Sequence, residues 1–171
     1  MELFKQFVPS LVCLSCEGCC RFHAANSPWR PKVGLGEKED FQSGLASGAP
    51  GDGILDRGAY VTAAPDGDVF RCRFLERDAN TCAIYPVRPF ECRLYPFLLV
   101  QSGGRSLVAL HLSCPFAQKY YGRKEMDDYI AYLKEFVSRP SVTGFLRENR
   151  ALFSDYSQAG DEWVPVFDWE A

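Results

Sequence analysis

The stretch Leu11-Val12-Cys13-Leu14-Ser15-Cys16-Glu17-Gly18-Cys19-Cys20-Arg21-Phe22 places four thiols within eight residues. Cysteine packs well as a small hydrophobe, but the Glu17-Gly18 step between Cys16 and Cys19 is not a buried-core pair. Two cysteines separated by two residues can turn both sulfurs toward one centre, the spacing of thiolate metal sites and iron–sulfur clusters. The run reads as half of a metal or cluster site. The other half must come from later in the chain.

The rest of the composition is ordinary. At 171 residues, 47% hydrophobic and 24% charged, the chain is expected to form one domain with a real core. That domain covers 1–171, with a motif core over about 11–116 and a helical extension over 120–171. A formal charge of −3 lacks the basic footprint of a nucleic-acid binder. No apolar run approaches the roughly 20 residues of a membrane helix, and the N-terminus has neither the basic nor the apolar region of a signal peptide. A cytoplasmic location is therefore expected. In a reducing compartment eight cysteines signal metal or redox chemistry ahead of disulfides. The expected partner is a metal ion or cluster, with room for a protein partner and none for nucleic acid or a membrane.

Two hairpins are legible. Tyr60–Thr62, a Pro65-Asp66-Gly67-Asp68 turn and Val69–Phe74 form the first, and its alternation puts Cys72 on one face with Phe70 and Phe74. Phe97–Val100, a Ser102-Gly103-Gly104-Arg105 turn and Leu107–Leu112 form the second. Glu37–Ala46 reads as a short helix with solvated acidic residues, followed by a Gly-rich linker over Ser47–Gly53. From Glu125 the period becomes helical: Met126, Tyr129, Ile130, Leu133 and Val137 share one face. A further helix is expected after Arg139-Pro140, with Ser141 as its N-cap, and the tail with Trp163 and Trp169 is expected to pack back. The fold class is α+β: a small cysteine-rich domain of two hairpins and loops with C-terminal helices.

The later cysteines are Cys72, Cys82, Cys92 and Cys114. Pro89 is placed to start a single helical turn and Pro96 to end it, so Cys92 would be held rigidly between prolines. A ligand fixed in advance loses little entropy on binding. Arginines follow the thiols: Arg21 after Cys20, Arg71 and Arg73 around Cys72, Arg93 after Cys92, with Arg88 nearby. A four-thiolate centre is anionic, and guanidinium groups beside it would offset that charge and lower thiol pKa values. Arg21, Arg88 and Arg93 are the candidates for this contact with a cofactor.

Taken together, Cys13-x2-Cys16-x2-Cys19-Cys20, Cys72-x-Phe74-Leu75, Cys82-x-Ile84-Tyr85-x2-Arg88-Pro89-x2-Cys92-Arg93-x-Tyr95-Pro96-Phe97 and Cys114-Pro115 resemble the CxxCxxCC, or YkgJ-type, cysteine-cluster family. The resemblance implies a zinc- or iron-chelating domain with eight characteristic cysteines: Cys13, Cys16, Cys19, Cys20, Cys72, Cys82, Cys92 and Cys114. It extends to the cysteine cluster of flagellin lysine N-methylases, although no methyl-donor site is legible here.

The choice of metal stays open. Eight thiols could fill two structural zinc sites. The C-x2-C-x2-C opening instead resembles a ferredoxin-type run, which favours an iron–sulfur cluster, a [4Fe–4S] core held by three N-terminal thiols and one of Cys72, Cys82 or Cys92. The remaining thiols would form a second site or a redox pair. Adjacent Cys19 and Cys20 are expected to point in different directions. His23 is the better imidazole candidate, and His111 reads as a core histidine. The function classes are a metal or cluster protein for electron transfer or metal handling, a cluster-dependent protein-modifying enzyme, and a zinc-stabilised interaction module. No Walker loop, G-x-S-x-G or H-E-x-x-H is present, and no catalytic residue is assigned.

Overall fold

Short helices and antiparallel strands succeed one another in an α+β order in the computed structural model, which describes residues 5–16, 18–38, 53–56, 59–160 and 162–170. The helix expected over Glu37–Ala46 and the linker from Ser47 lie outside the described residues, apart from Glu37, Lys38 and Gly53. The chain divides into two units, Pro9–Arg93 and Met1–Val8 with Leu94–Ala171. Among the described residues no helix is long and apolar enough to cross a membrane.

In the unit Pro9–Arg93, Pro9 precedes the short helix α1 (Ser10–Leu14), and the chain then turns into strand β1 (Arg21–Phe22). β2 (Leu55–Asp56) pairs with β3 (Tyr60–Val61), while β4 (Ala63–Asp66) and β5 (Val69–Cys72) form the expected hairpin in a different frame. The sequence pointed to Tyr60–Thr62 as its first strand. Asp66 instead faces Val69 across a two-residue Gly67-Asp68 loop, so the partner of β5 is 63–66. Gly67, at φ +64°, supplies the left-handed conformation this tight loop needs. Pro65 is tolerated because β4 lies at the edge of the sheet β1-β5-β4, where a missing N–H can face solvent. β6 (Leu75–Glu76) and β7 (Thr81–Cys82) make a smaller hairpin. A 3-10 turn over Tyr85–Val87 leads to α2 (Phe90–Leu94), which Pro89 precedes.

The core of this unit is Phe22, Val33, Ile54, Val61, Cys72, Phe74, Leu75 and Ile84, with Cys20, Phe70 and Cys82 packed against it. The period-two reading of β5 holds, since Cys72, Phe70 and Phe74 share this core.

In the other unit, β8 (Phe97–Ser102), β9 (Arg105–His111) and β10 (Trp163–Asp168) form an antiparallel sheet in the order β10-β9-β8. Gly103 and Gly104, at φ +55° and +79°, close the β8–β9 hairpin, a turn that requires positive φ at both central positions. Helices α3 (Pro115–Tyr120), α4 (Lys124–Val137) and α5 (Pro140–Glu148) complete it. α4 buries Met126, Tyr129, Leu133 and Val137, the face its periodicity predicts, and Phe136 as well. α5 begins at Pro140 after Arg139 as its cap, two residues earlier than Ser141 as N-cap would allow. Proline suits that first position because its φ is already helical and no N–H is needed there. The tail packs back as strand β10, and Trp169 stacks on Phe153 at 5.0 Å between ring centroids. Leu133 is fully buried, so Leu133→Ala should lower stability by about 3 kcal/mol, the usual cost of a core Leu→Ala cavity, read from urea unfolding.

Candidate metal centre

Seven of the eight cysteines belong to the unit Pro9–Arg93, and Cys114 belongs to the other. Four separate segments deliver the seven. α1 carries Cys13, and its C-terminal turn continues to Cys16, whose N–H donates to the Cys13 carbonyl at 3.3 Å. The Gly18 N–H donates to the Cys16 Sγ at 3.4 Å. The Cys72 N–H donates to the Cys20 carbonyl at 2.7 Å, drawing the end of β5 to the N-terminal run. β7 ends at Cys82, and α2 presents Cys92 from its middle.

The thiols sense each other's charge. Cys13 is affected by Cys20 and Cys16, Cys72 by Cys20 and Cys82, Cys82 by Cys20 and Cys13, and Cys92 by Cys72, Cys20 and Cys82. Sulfurs far apart in sequence thus share one neighbourhood. Burial, with this mutual repulsion, pushes the Cys72 thiol up to about 12, the Cys82 thiol to about 11 and the Cys92 thiol well above its ordinary range. Burial also raises Cys13, against the opposing pull of Arg88. Cys19 and Cys20, expected to diverge, are hydrogen-bonded to each other through their side chains. That bond holds the Cys19 proton in place and raises its pKa. The same bond, with the charges of Arg88 and Arg21, pushes Cys20 down. As the side chains stand, no group of three or more His, Cys, Asp or Glu among the described residues is placed to hold a metal ion.

Residues 12–115 match the family model CxxCxxCC, described as "Putative zinc- or iron-chelating domain". The chain belongs to this family. No curated protein and no solved structure matches it. CxxCxxCC membership supports metal binding in general. The donor chemistry of the unit fits such a role, because grouped thiols select zinc or iron–sulfur chemistry over magnesium or calcium. All eight cysteines are free thiols, none held in a bridge.

The candidate arginines separate by environment. Arg88 is buried and directs Nη1 at the Cys13 Sγ at 3.6 Å. Its guanidinium lies over the Tyr85 ring at 3.4 Å and donates through Nε to the Tyr85 carbonyl at 3.0 Å. Its charge reaches Cys13, Cys20, Cys82 and Cys92. Arg21 donates to Asn80 Oδ1 at 3.0 Å and its charge reaches Cys20. Arg93 pairs with Glu37 at 3.2 Å, while Arg73 donates to the Gly53 carbonyl at 3.3 Å. His23 is exposed. His111, in the other unit, is buried with its Nδ1 3.1 Å from the Tyr95 hydroxyl, as a core histidine should be.

Glu37, read from sequence as a solvated helix residue, is buried. Its carboxylate accepts from the Gly34 N–H at 3.0 Å, the Phe90 N–H at 2.7 Å and Arg93 Nη2 at 3.2 Å. It thereby satisfies the start of α2 from a distant loop and holds the helix that carries Cys92. Glu91 is engaged similarly, accepting from the Lys32 N–H at 2.6 Å, and burial pushes its carboxyl up to about 7. A single Glu in the polar run Glu37-Lys38-Glu39-Asp40 gives no sequence cue to this role. Glu37→Leu removes three accepted bonds, two of them from backbone, and should cost the metal-free protein about 3 kcal/mol in urea unfolding. Glu37→Gln, which keeps an acceptor, should cost about 1 kcal/mol.

Proposed function

We propose that the chain holds an iron–sulfur centre, a [4Fe–4S] core, and serves electron transfer or metal handling in the cytoplasm. Cys13, Cys16 and Cys19 or Cys20 would provide three ligands, and Cys72, Cys82 or Cys92 the fourth. Cys114 enters the ligand set on the family motif alone. Arg88 and Arg21 would offset the charge of the thiolates, and Arg93 would act through Glu37 on the helix of Cys92. When bound, such a core would supply one-electron transfer.

The observation that carries this reading is that four segments of one unit supply seven thiols, with a buried guanidinium whose charge reaches Cys13, Cys20, Cys82 and Cys92. Four thiolates complete one structural zinc site, so seven exceed what a single zinc uses. The C-x2-C-x2-C run puts three cysteines within seven residues, the spacing that opens a ferredoxin-type run. Eight unbridged thiols agree with a reducing compartment.

The test is anaerobic purification of the full chain with iron, zinc and acid-labile sulfide analysis and a visible spectrum. Iron and sulfide in matching amounts, lost in Cys72→Ser, support the cluster. A colourless protein with stoichiometric zinc replaces it with the zinc-stabilised module. Protein that takes up neither metal refutes both.

A further inference from the structure

Asn80 sits in the turn between β6 and β7, two residues before Cys82, with φ +48°. Asparagine is one of the few side chains that tolerate this left-handed conformation. Its side chain is used at both ends: Oδ1 accepts from Arg21 Nη1 at 3.0 Å, and Nδ2 donates to the Cys16 carbonyl at 3.2 Å. Guanidinium can only donate and a carbonyl can only accept, so the two neighbours together fix which way the amide points. One residue thus joins the Cys16 loop, the Arg21 that follows Cys20, and the turn that leads to Cys82.

We propose that Asn80 is a positioning residue that pins the Cys16 loop against the Cys82 turn and so fixes where Cys16 stands. The inference deepens the metal reading, but its first readout needs no metal. Aspartate in place of Asn80 has nearly the same shape and can still accept from Arg21. It would set an anionic oxygen against the Cys16 carbonyl oxygen where a donor now stands. Glycine keeps the positive φ without strain and removes the whole bridge. The two variants share one loss, the bond to Cys16.

The experiment uses the reduced, metal-free full chain of wild type, Asn80→Asp and Asn80→Gly. Iodoacetamide labelling is followed thiol by thiol with peptide mass spectrometry, and Zn(II) affinity is measured by chelator competition. In both variants Cys16 should be labelled about ten times faster than in wild type, roughly the equilibrium worth of one or two hydrogen bonds, while Cys72 keeps its wild-type rate. Zn(II) binding should weaken by about tenfold in parallel. An unchanged Cys16 rate in Asn80→Gly overturns the proposal. So does acceleration shared equally by Cys16, Cys72 and Cys82, which marks general loosening of the unit. If Asn80→Asp does not fold, the glycine variant decides alone. If wild type binds no Zn(II), the metal reading fails for that ion, and the Cys16 labelling still decides the role of Asn80.

Discussion

Zinc binding to the metal-free protein should weaken by about three to four powers of ten for each unit that pH falls below neutrality, one power for every thiol proton displaced. The sign follows from the thiols themselves. Cys72 at about 12, Cys82 at about 11 and Cys92 well above its ordinary range are protonated at neutral pH, and only the thiolate is a ligand. Metal must expel those protons, so affinity rises with pH. Cys20, whose thiol is pushed down, gives up its share of the slope first as pH increases. Folding of the metal-free chain does not obscure the effect. A thiol raised above its unfolded value contributes stability that is fully present below the ordinary cysteine range, and Cys72 loses it only as pH climbs toward 12. Chelator competition at several pH values, with proton release counted by an indicator dye, measures the slope. Affinity independent of pH would remove these thiols from the ligand set.

The same protons bear on how the candidate thiols pack. Neutral thiols in an apolar unit pack as small hydrophobes, and Cys72, Cys20 and Cys82 do so against Phe74, Leu75 and Ile84. Closing four sulfurs on an ion requires charge on each of them, and that charge is favourable only with the ion there.

How much of this was legible in the chain depends on the length scale of each signal. Local cues carried through. Gly103-Gly104 marked its hairpin, the period of Met126, Tyr129, Leu133 and Val137 marked α4, and Pro89 marked the start of the turn bearing Cys92. The CxxCxxCC spacing marked the family. Register was harder. Pro65 looked like a turn residue and lies instead on an edge strand, because the two-residue Gly67-Asp68 loop pairs Asp66 with Val69. Partnership between distant polar residues left no trace at all. The carboxylate of Glu37 meets Phe90 and Arg93 more than fifty positions away, and Asn80 meets Cys16 across 64. Nothing in the residues around Glu37 distinguishes a buried acceptor from a solvated acid. Asn80 carried a partial signal, since Asp78-Ala79-Asn80 reads as a turn and asparagine there hints at positive φ. The pairing of Cys19 with Cys20 was missed for a different reason: the chain turns there, so the alternation that would separate adjacent side chains on an extended strand does not apply.

Arg88→Gln should lower Zn(II) affinity about a hundredfold while changing the stability of the metal-free protein by only about 1 kcal/mol. The two expectations have different origins. A guanidinium 3.6 Å from the Cys13 sulfur, with its charge also reaching Cys20, Cys82 and Cys92, acts on whichever thiols become anionic. Two unit charges 4 Å apart interact by about 4 kcal/mol at an effective dielectric of 20, and relaxation around the glutamine amide would recover part of this. Without metal Cys13, Cys82 and Cys92, raised by burial, keep their protons, so burying the cation beside them gains little to set against its desolvation. Loss of the Tyr85 stacking and carbonyl contact then accounts for most of the small change in the metal-free fold. Arg88→Lys keeps the charge but not the planar fork that serves sulfur, ring and carbonyl at once, and should recover only part of the affinity. Thermal melts with and without Zn(II) separate the cases. The metal-induced rise in Tm should shrink in Arg88→Gln while the metal-free Tm barely moves. Equal losses in both states would make Arg88 a packing residue and take the positive charge out of the account of the centre.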